Sequence, residues 1–154
     1  MIIVNIDDTI ADTQHRLKRN PDGSFDWDYY DTPELIEKDP PIKYSKEILF
    51  KLSLRHPLVF LSSRQEKLRD VTIKWLNKNG FSKWVKLYMR SNGDKRTRLH
   101  YKSDIFKKII EHSRESINLF DDQEELEDEC KRFGIYFFKA PECWNELIKY
   151  ISLL

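Results

Sequence analysis

Five short apolar runs with helix-like stretches between them restrict this sequence more than any other feature. Residues 2–6 (IIVNI), 57–61 (PLVFL), 85–89 (VKLYM), 117–120 (INLF) and 135–138 (IYFF) are rich in β-branched and aromatic side chains. Runs of that length and kind read as strands buried on both faces. Between them, Leu68, Val71, Trp75 and Leu76 share one helical face, and Gly80 stands where that helix would stop. Ser103 is placed to cap a helix carrying Ile105, Phe106, Ile109 and Ile110. Leu126, Cys130 and Phe133 continue the pattern, and a last helix holds Trp144, Leu147, Ile148 and Ile151. Such alternation predicts an α/β three-layer sandwich with a parallel sheet covered on both faces. A chain of 154 residues suits a single domain, 1–154. The long stretch after the first run predicts a small insertion at about residues 11–40.

Charge excludes little. Lys+Arg (27) and Asp+Glu (26) nearly cancel, so net charge favours no class of partner and only its distribution can. Cys130 and Cys143 fit neither a metal-ligand spacing nor a disulfide framework, which points to packed, reduced thiols. No apolar stretch approaches the roughly 20 residues that span a bilayer. The run MIIVNI is too short for a signal sequence. The expectation is a soluble, cytoplasmic protein with no membrane partner.

In open parallel sheets, ligands bind beyond the carboxyl ends of the strands. The residues following the apolar runs are therefore the ones to inspect. They are Asn5-Ile6-Asp7-Asp8-Thr9 after the first, Ser62-Ser63-Arg64 after the second, and Asp121-Asp122 after the fourth, with Lys102 before Ser103. Carboxylates hold a hard cation such as magnesium through oxygen, while a hydroxyl and an ammonium take phosphate oxygens. Metal-assisted phosphoryl transfer needs little beyond this set and its positioning.

The order of these junctions resembles the four motifs of haloacid-dehalogenase (HAD)-like phosphatases, across essentially the whole chain. The resemblance implies a Rossmann-like, HAD-like fold with a minimal cap. Its first motif reads Asp-x-Asp-x-Thr, and here Asn5 falls on the nucleophile, Asp7 on the general acid and base, and Thr9 on the supporting threonine. Ser62 matches the phosphate-binding hydroxyl and Lys102 the third-motif lysine. Asp121 and Asp122 match the acidic fourth motif and, with Asn5 and Asp7, make up the implied metal site, Asp122 being the direct ligand of the pair. Leu126 replaces a third acid that the wider family often carries. The implied cofactor is Mg2+.

A narrower resemblance lies in IADTQHR, DWDYY, VFLSSR and LYMRSNGDKR…YK. These segments are similar to the phosphatase half of phage-type polynucleotide kinase/phosphatases. That similarity implies removal of a 3′-phosphate from nucleic-acid ends, as in nucleic acid repair. It assigns substrate contacts to Arg64, Arg90 and Arg96, with Ser63, His15 and Arg16 beside them. Nucleic-acid 3′-phosphate ends or a nucleotide phosphate are the expected partners. A small-molecule nucleotide or sugar-phosphate phosphatase, and a non-catalytic binder of phosphorylated ends, are the competing readings.

Each residue has a plainer reading when taken singly. Ser62 can cap a helix, Lys102 can be a solvated lysine, and Asp121-Asp122 can open an acidic helix start. The seven Lys/Arg of residues 83–102 can be a solvated loop, or a surface whose guanidinium forks match phosphate. Trp27 can pack, or can stack on substrate above the site. Asn5 changes the chemistry most, because an amide is not a useful nucleophile and adds no anionic charge to a metal site. Two origins are open: an aspartate replaced to trap an uncleaved substrate, or a natural phosphate-binding pseudoenzyme. The intact set Asp7, Thr9, Ser62, Lys102 and Asp122 favours the first.

Overall fold

The computed structural model describes residues 1–153. Five strands form one sheet: β1 (Ile2–Val4), β2 (Leu58–Gln65), β3 (Trp84–Arg90), β4 (Ile117–Asp121) and β5 (Ile135–Lys139). Their order is β3-β2-β1-β4-β5, and every neighbouring pair is parallel. The chain moves outward on one side of β1 and then crosses to the other side for β4. This places the topological switch point at the carboxyl ends of β1 and β4, where such folds bind ligands.

Alternation along β1 divides the core. Ile2 and Val4 join a cluster with Leu58, Phe60, Trp75 and Trp144, while Ile3 joins Leu61, Phe106, Leu119 and Leu126. Among the described residues, seven α-helices surround the sheet: α1 (Trp27–Tyr30), α2 (Pro33–Ile36), α3 (Ser45–Ser53), α4 (Arg69–Lys78), α5 (Arg98–His112), α6 (Leu126–Phe133) and α7 (Glu142–Leu147). Helices α3, α4 and α7 supply the first cluster, and α5 and α6 the second. The three-layer α/β architecture expected from the sequence is the one observed. No helix of the described residues is long and apolar enough to cross a membrane.

Several boundaries differ from the sequence reading. Helix α5 does not start after Ser103 but at Arg98, because the Thr97 hydroxyl accepts a hydrogen bond from the His100 amide at 3.2 Å. Lys102 and Ser103 thus lie inside the helix, and the Ser103 hydroxyl donates to Glu129 instead of capping. Strand β2 runs on through Ser62, Ser63 and Arg64, with a register shift between Leu61 and Gln65 where it pairs with β3. The expected last helix ends at Leu147 and continues to Leu153 as a 3-10 turn. Helix α3 had no counterpart in the sequence reading.

Gly80 behaves as expected, closing α4 with a positive φ of 77° while the Phe81 amide donates to the Leu76 carbonyl at 2.9 Å. A side chain there would also collide with Lys46, whose Cε would stand 2.9 Å from the added Cβ. Residues 11–41 form a loop whose neck is closed by a bridge between Ala11 and Pro41. The Asp12 amide donates to the Pro40 carbonyl and the Ile42 amide to the Ile10 carbonyl, both at 2.8 Å. The loop carries a 3-10 turn (Gln14–Arg16), α1 and α2.

Candidate active site

The segment after β1 is pinned before any ligand is considered. The Asn5 amide continues the sheet by donating to the Phe120 carbonyl at 2.9 Å. A tight turn follows, in which the Thr9, Ile10 and Ala11 amides all point to the Ile6 carbonyl. Asp8 takes a left-handed conformation (φ 58°) and accepts from the Thr13 hydroxyl at 2.6 Å. The Thr9 carbonyl accepts from the buried Trp144 indole at 2.8 Å, tying the turn to α7. Asn5, Asp7 and Thr9 therefore occupy fixed places at the switch point.

The Asn5 side-chain nitrogen faces three oxygens: the Asp7 carbonyl at 2.9 Å, Asp122 Oδ1 at 2.8 Å and Thr9 Oγ1 at 3.1 Å. It has two hydrogens for these three acceptors, and Thr9 meets Asp122 Oδ1 through its own hydroxyl at 3.1 Å. Burial, with the charge of Asp121 added, pushes the Asp122 carboxyl above its ordinary range. A cation in the place of that nitrogen would meet a carbonyl and a carboxylate, which are ligands of the right kind. The set is short of one negative charge. Among the described residues no three His, Cys, Asp or Glu side chains gather as a metal cluster. Asp121 is not part of the group, since its Oδ2 accepts from Lys102 Nζ at 2.6 Å and both side chains are buried. The sequence reading placed Asp121 beside the metal; the structure gives it to Lys102 instead.

Asp7 stands between two guanidinium groups. Its Oδ1 accepts from Arg16 Nη2 at 2.8 Å and Arg64 Nη2 at 2.6 Å, and its Oδ2 from Arg64 Nε at 3.1 Å. Burial raises the Asp7 pKa, but the charge and hydrogen bonds of Arg64, helped by Arg16, outweigh it and bring the value down to about 2. Both arginines also reach the buried Asp39, Arg16 through Nε and Nη2 at 2.8 Å each and Arg64 at 3.4 Å. His15 Nε2 lies 2.8 Å from the same Asp39 carboxylate.

Asn5, Asp7, Ser63, Arg64, Arg90 and Lys102 line one cleft of about 270 Å³. Arg98, Tyr30 and Gln123 join them without having been assigned to the site, and so does Trp27, for which stacking above the site was one of two readings. For Arg98 a signal existed: a helix capped by Thr97 puts Arg98 and Lys102 four residues apart on one face. Two polar side chains on the cleft wall hold atoms that lack hydrogen-bond partners. Arg90 Nε and Nη2 are buried without a hydrogen-bond partner, as is Ser63 Oγ. Only Nη1 of Arg90 is used, donating to the Arg96 carbonyl at 3.0 Å.

Other expected contacts do not reach the cleft directly. Arg16 is fully buried, with Nη1 donating to the Tyr30 carbonyl at 2.6 Å and its guanidinium 4.2 Å from the Tyr30 ring. It reaches the cleft only through Asp7 and Tyr30, and His15 stands behind it on Asp39. Arg96 is exposed and paired with Asp94 and Asp104, outside the cleft. Ser62 is buried behind Ser63, its hydroxyl accepting from the Arg64 amide at 3.1 Å. Asp39, which holds Arg16 and Arg64 in place, carried no periodic or motif signal in the sequence.

Comparisons with known proteins bear on the fold and the family. The solved structure described as the Pnkp1/Rnl/Hen1 complex contains a chain that superposes with a TM-score of 0.71 over 90% of this chain and 44% of its own length, at 18% identity. The Pnkp1/Rnl/Hen1 RNA repair complex gives 0.69 over 90% and 41%, at 19% identity. These likenesses establish the fold. Vegetative storage protein 1 of Arabidopsis thaliana is 26% identical over an alignment of 128 residues that covers 79% of this chain and 46% of that protein. The chain thus spans less than half the length of each of these relatives. The family model "Polynucleotide kinase PNKP phosphatase domain" matches residues 1–142. With that match covering nearly the whole chain, the protein belongs to the PNKP phosphatase-domain family, a branch of the HAD-like phosphatases.

Proposed function

We propose that this chain is a polynucleotide 3′-phosphatase domain that binds a terminal phosphate and, because residue 5 is asparagine, does not hydrolyse it. The observation that carries the reading is a buried Arg90 fork and a buried Ser63 hydroxyl without hydrogen-bond partners on the cleft wall, beside Arg98. Arg64 and Lys102 stand alongside, paired with Asp7 and Asp121, in a lining that also holds Asp8 and Asp31. Burial lowers the pKa of Arg90, yet a guanidinium stays protonated, so an anion is the ligand that relieves it. Paired nitrogens in one plane suit phosphate oxygens.

The fitted ligand set would hold a magnesium ion through Asp122, the Asp7 main-chain carbonyl and the side-chain oxygen of residue 5. Such an ion supplies positive charge against the phosphate oxygens. The amide of Asn5 weakens this site by removing one anionic ligand. With aspartate at position 5, a carboxylate oxygen would attack phosphorus, the ester oxygen would leave, and the aspartyl-phosphate would then be hydrolysed. Asp7 would protonate the leaving oxygen. In the free cleft it is held ionised by two arginines. A phosphate dianion competes for Arg64, and loss of that partner raises the proton affinity of Asp7, as an acid role requires.

The test uses Asn5→Asp with magnesium and three substrates: an oligonucleotide with a 3′-phosphate, the same oligonucleotide with a 5′-phosphate, and a sugar phosphate. Faster phosphate release from the first is expected. Equal or faster release from the sugar phosphate would replace the polynucleotide assignment with a small-molecule one.

A further inference from the structure

Beyond the phosphate, one wall of the cleft carries a feature that phosphate chemistry does not use. Trp27 is 54% exposed, and of the large apolar side chains left exposed among the described residues it alone lines the cleft. Single exposed apolar side chains are ordinary on a protein surface, and what sets this one apart is its place on the cleft wall and the contacts that hold it. This one is held rigidly. It starts α1, whose first turn is capped by the Asp26 carboxylate accepting from the Tyr29 amide at 2.9 Å. The Phe25 ring is centred 4.6 Å away at an interplanar angle of 60°, and the Tyr30 ring 5.8 Å away, edge-on at 82°. Tyr30 is in turn fixed by Arg16, the buried group that grips Asp7. The ring is thus braced from behind by the same network that sets the catalytic carboxylate, and more than half of its surface stays open.

We infer that the exposed surface of Trp27 is a stacking platform for the terminal nucleobase, so that the cleft reads a nucleoside together with its phosphate. The inference rests on the phosphate-end reading above and names the part of the substrate that reading leaves unassigned. Every base offers a π-face, so a braced indole beside a phosphate site selects nucleotides over other phosphate esters without choosing among sequences. A rigid ring also loses little rotamer freedom on binding. Tyr30 cannot serve in its place, being buried, and no other aromatic residue lines the cleft.

Fluorescence anisotropy of a 5′-labelled oligonucleotide tests this on the chain as it stands. Three ligands are compared: a 3′-phosphorylated end, the same end with the terminal base replaced by an abasic sugar, and a 3′-hydroxyl end. The parent should prefer the 3′-phosphate to the 3′-hydroxyl, and removing the terminal base should weaken binding about five- to hundredfold. Trp27→Ala should produce a loss of the same size with the complete end and little further loss with the abasic one. Trp27→Phe should recover most of the affinity. If Trp27→Ala weakened the complete and abasic ends equally, the ring would be structural and the inference overturned. If removing the base changed nothing in the parent, it would also fail, with the phosphate reading intact. If the parent failed to distinguish 3′-phosphate from 3′-hydroxyl, the phosphate-end reading itself would fall and the platform with it.

Discussion

Asp7 accepts hydrogen bonds from both Arg16 and Arg64, and its pKa of about 2 lies below the usual 3.8. A carboxyl whose folded value is lowered stabilises the fold above its unfolded value, and that contribution disappears as pH falls through the folded one. The window is therefore between about pH 4 and pH 2. Asp7→Asn should lower the Tm at pH 7, by an amount equivalent to roughly 2 kcal/mol. The gap between variant and parent should narrow steadily as pH approaches 2. Thermal unfolding followed by circular dichroism at pH 7, 4 and 2 measures it, and a gap that stayed constant would remove the arginines' role. At this scale the sequence was informative where side chains follow strands, because a strand's end fixes the place of the next few residues. Asn5, Asp7, Thr9 and Asp122 converge for that reason. It was uninformative for Arg16 and Arg96, whose positions depend on the paths of two loops. One arginine is wholly buried behind the cleft and the other is paired outside it.

Elements matter chiefly through what fastens them. The 11–41 loop is joined to the sheet at its neck and by the buried Arg16–Asp39 pair, whose Arg64 and Trp75 contacts reach β2 and α4. Removing one member of a buried ion pair leaves the other desolvated and unpaired, which costs about 3–5 kcal/mol. Asp39 keeps His15 at 2.8 Å and Arg64 at 3.4 Å. Arg16→Met should therefore destabilise the fold by less than that full amount, about 1–3 kcal/mol, and speed hydrogen exchange of α1 and α2 more than of α5. Urea denaturation and amide exchange read the two effects. Exchange that rose equally in α5 would mean that the pair supports the whole core and not this loop. The strands were legible as apolar runs, and α4 through its periodic face and Gly80. The start of α5 was not, since Ser103 and Thr97 are both acceptable caps and tertiary packing of Tyr101 and Lys102 decides between them. The two short helices of the loop bury only Tyr30 and Ile36, too few positions to produce a periodic signal.

At the scale of the whole molecule, the β3-β2-β1-β4-β5 order sets the carboxyl ends of β1 and β4 side by side. Helix α5 adds Lys102 and Arg98, and β3 adds Arg90. What results is a cleft that gathers these cations around Asn5, whose uncharged amide stands, on the proposed function, at the point of attack on a phosphate. That Asn5 is the only missing part is the central claim, and the rates of the two forms of residue 5 test it most directly. Hydrolysis of a chromogenic aryl phosphate should be undetectable for the chain as it stands. With Asn5→Asp and magnesium it should rise by about three orders of magnitude or more, equivalent to roughly 4 kcal/mol of transition-state stabilisation, and fall back when the metal is chelated. A folded Asn5→Asp protein that stayed inactive with magnesium present would contradict the account, because the defect would then lie elsewhere in the site.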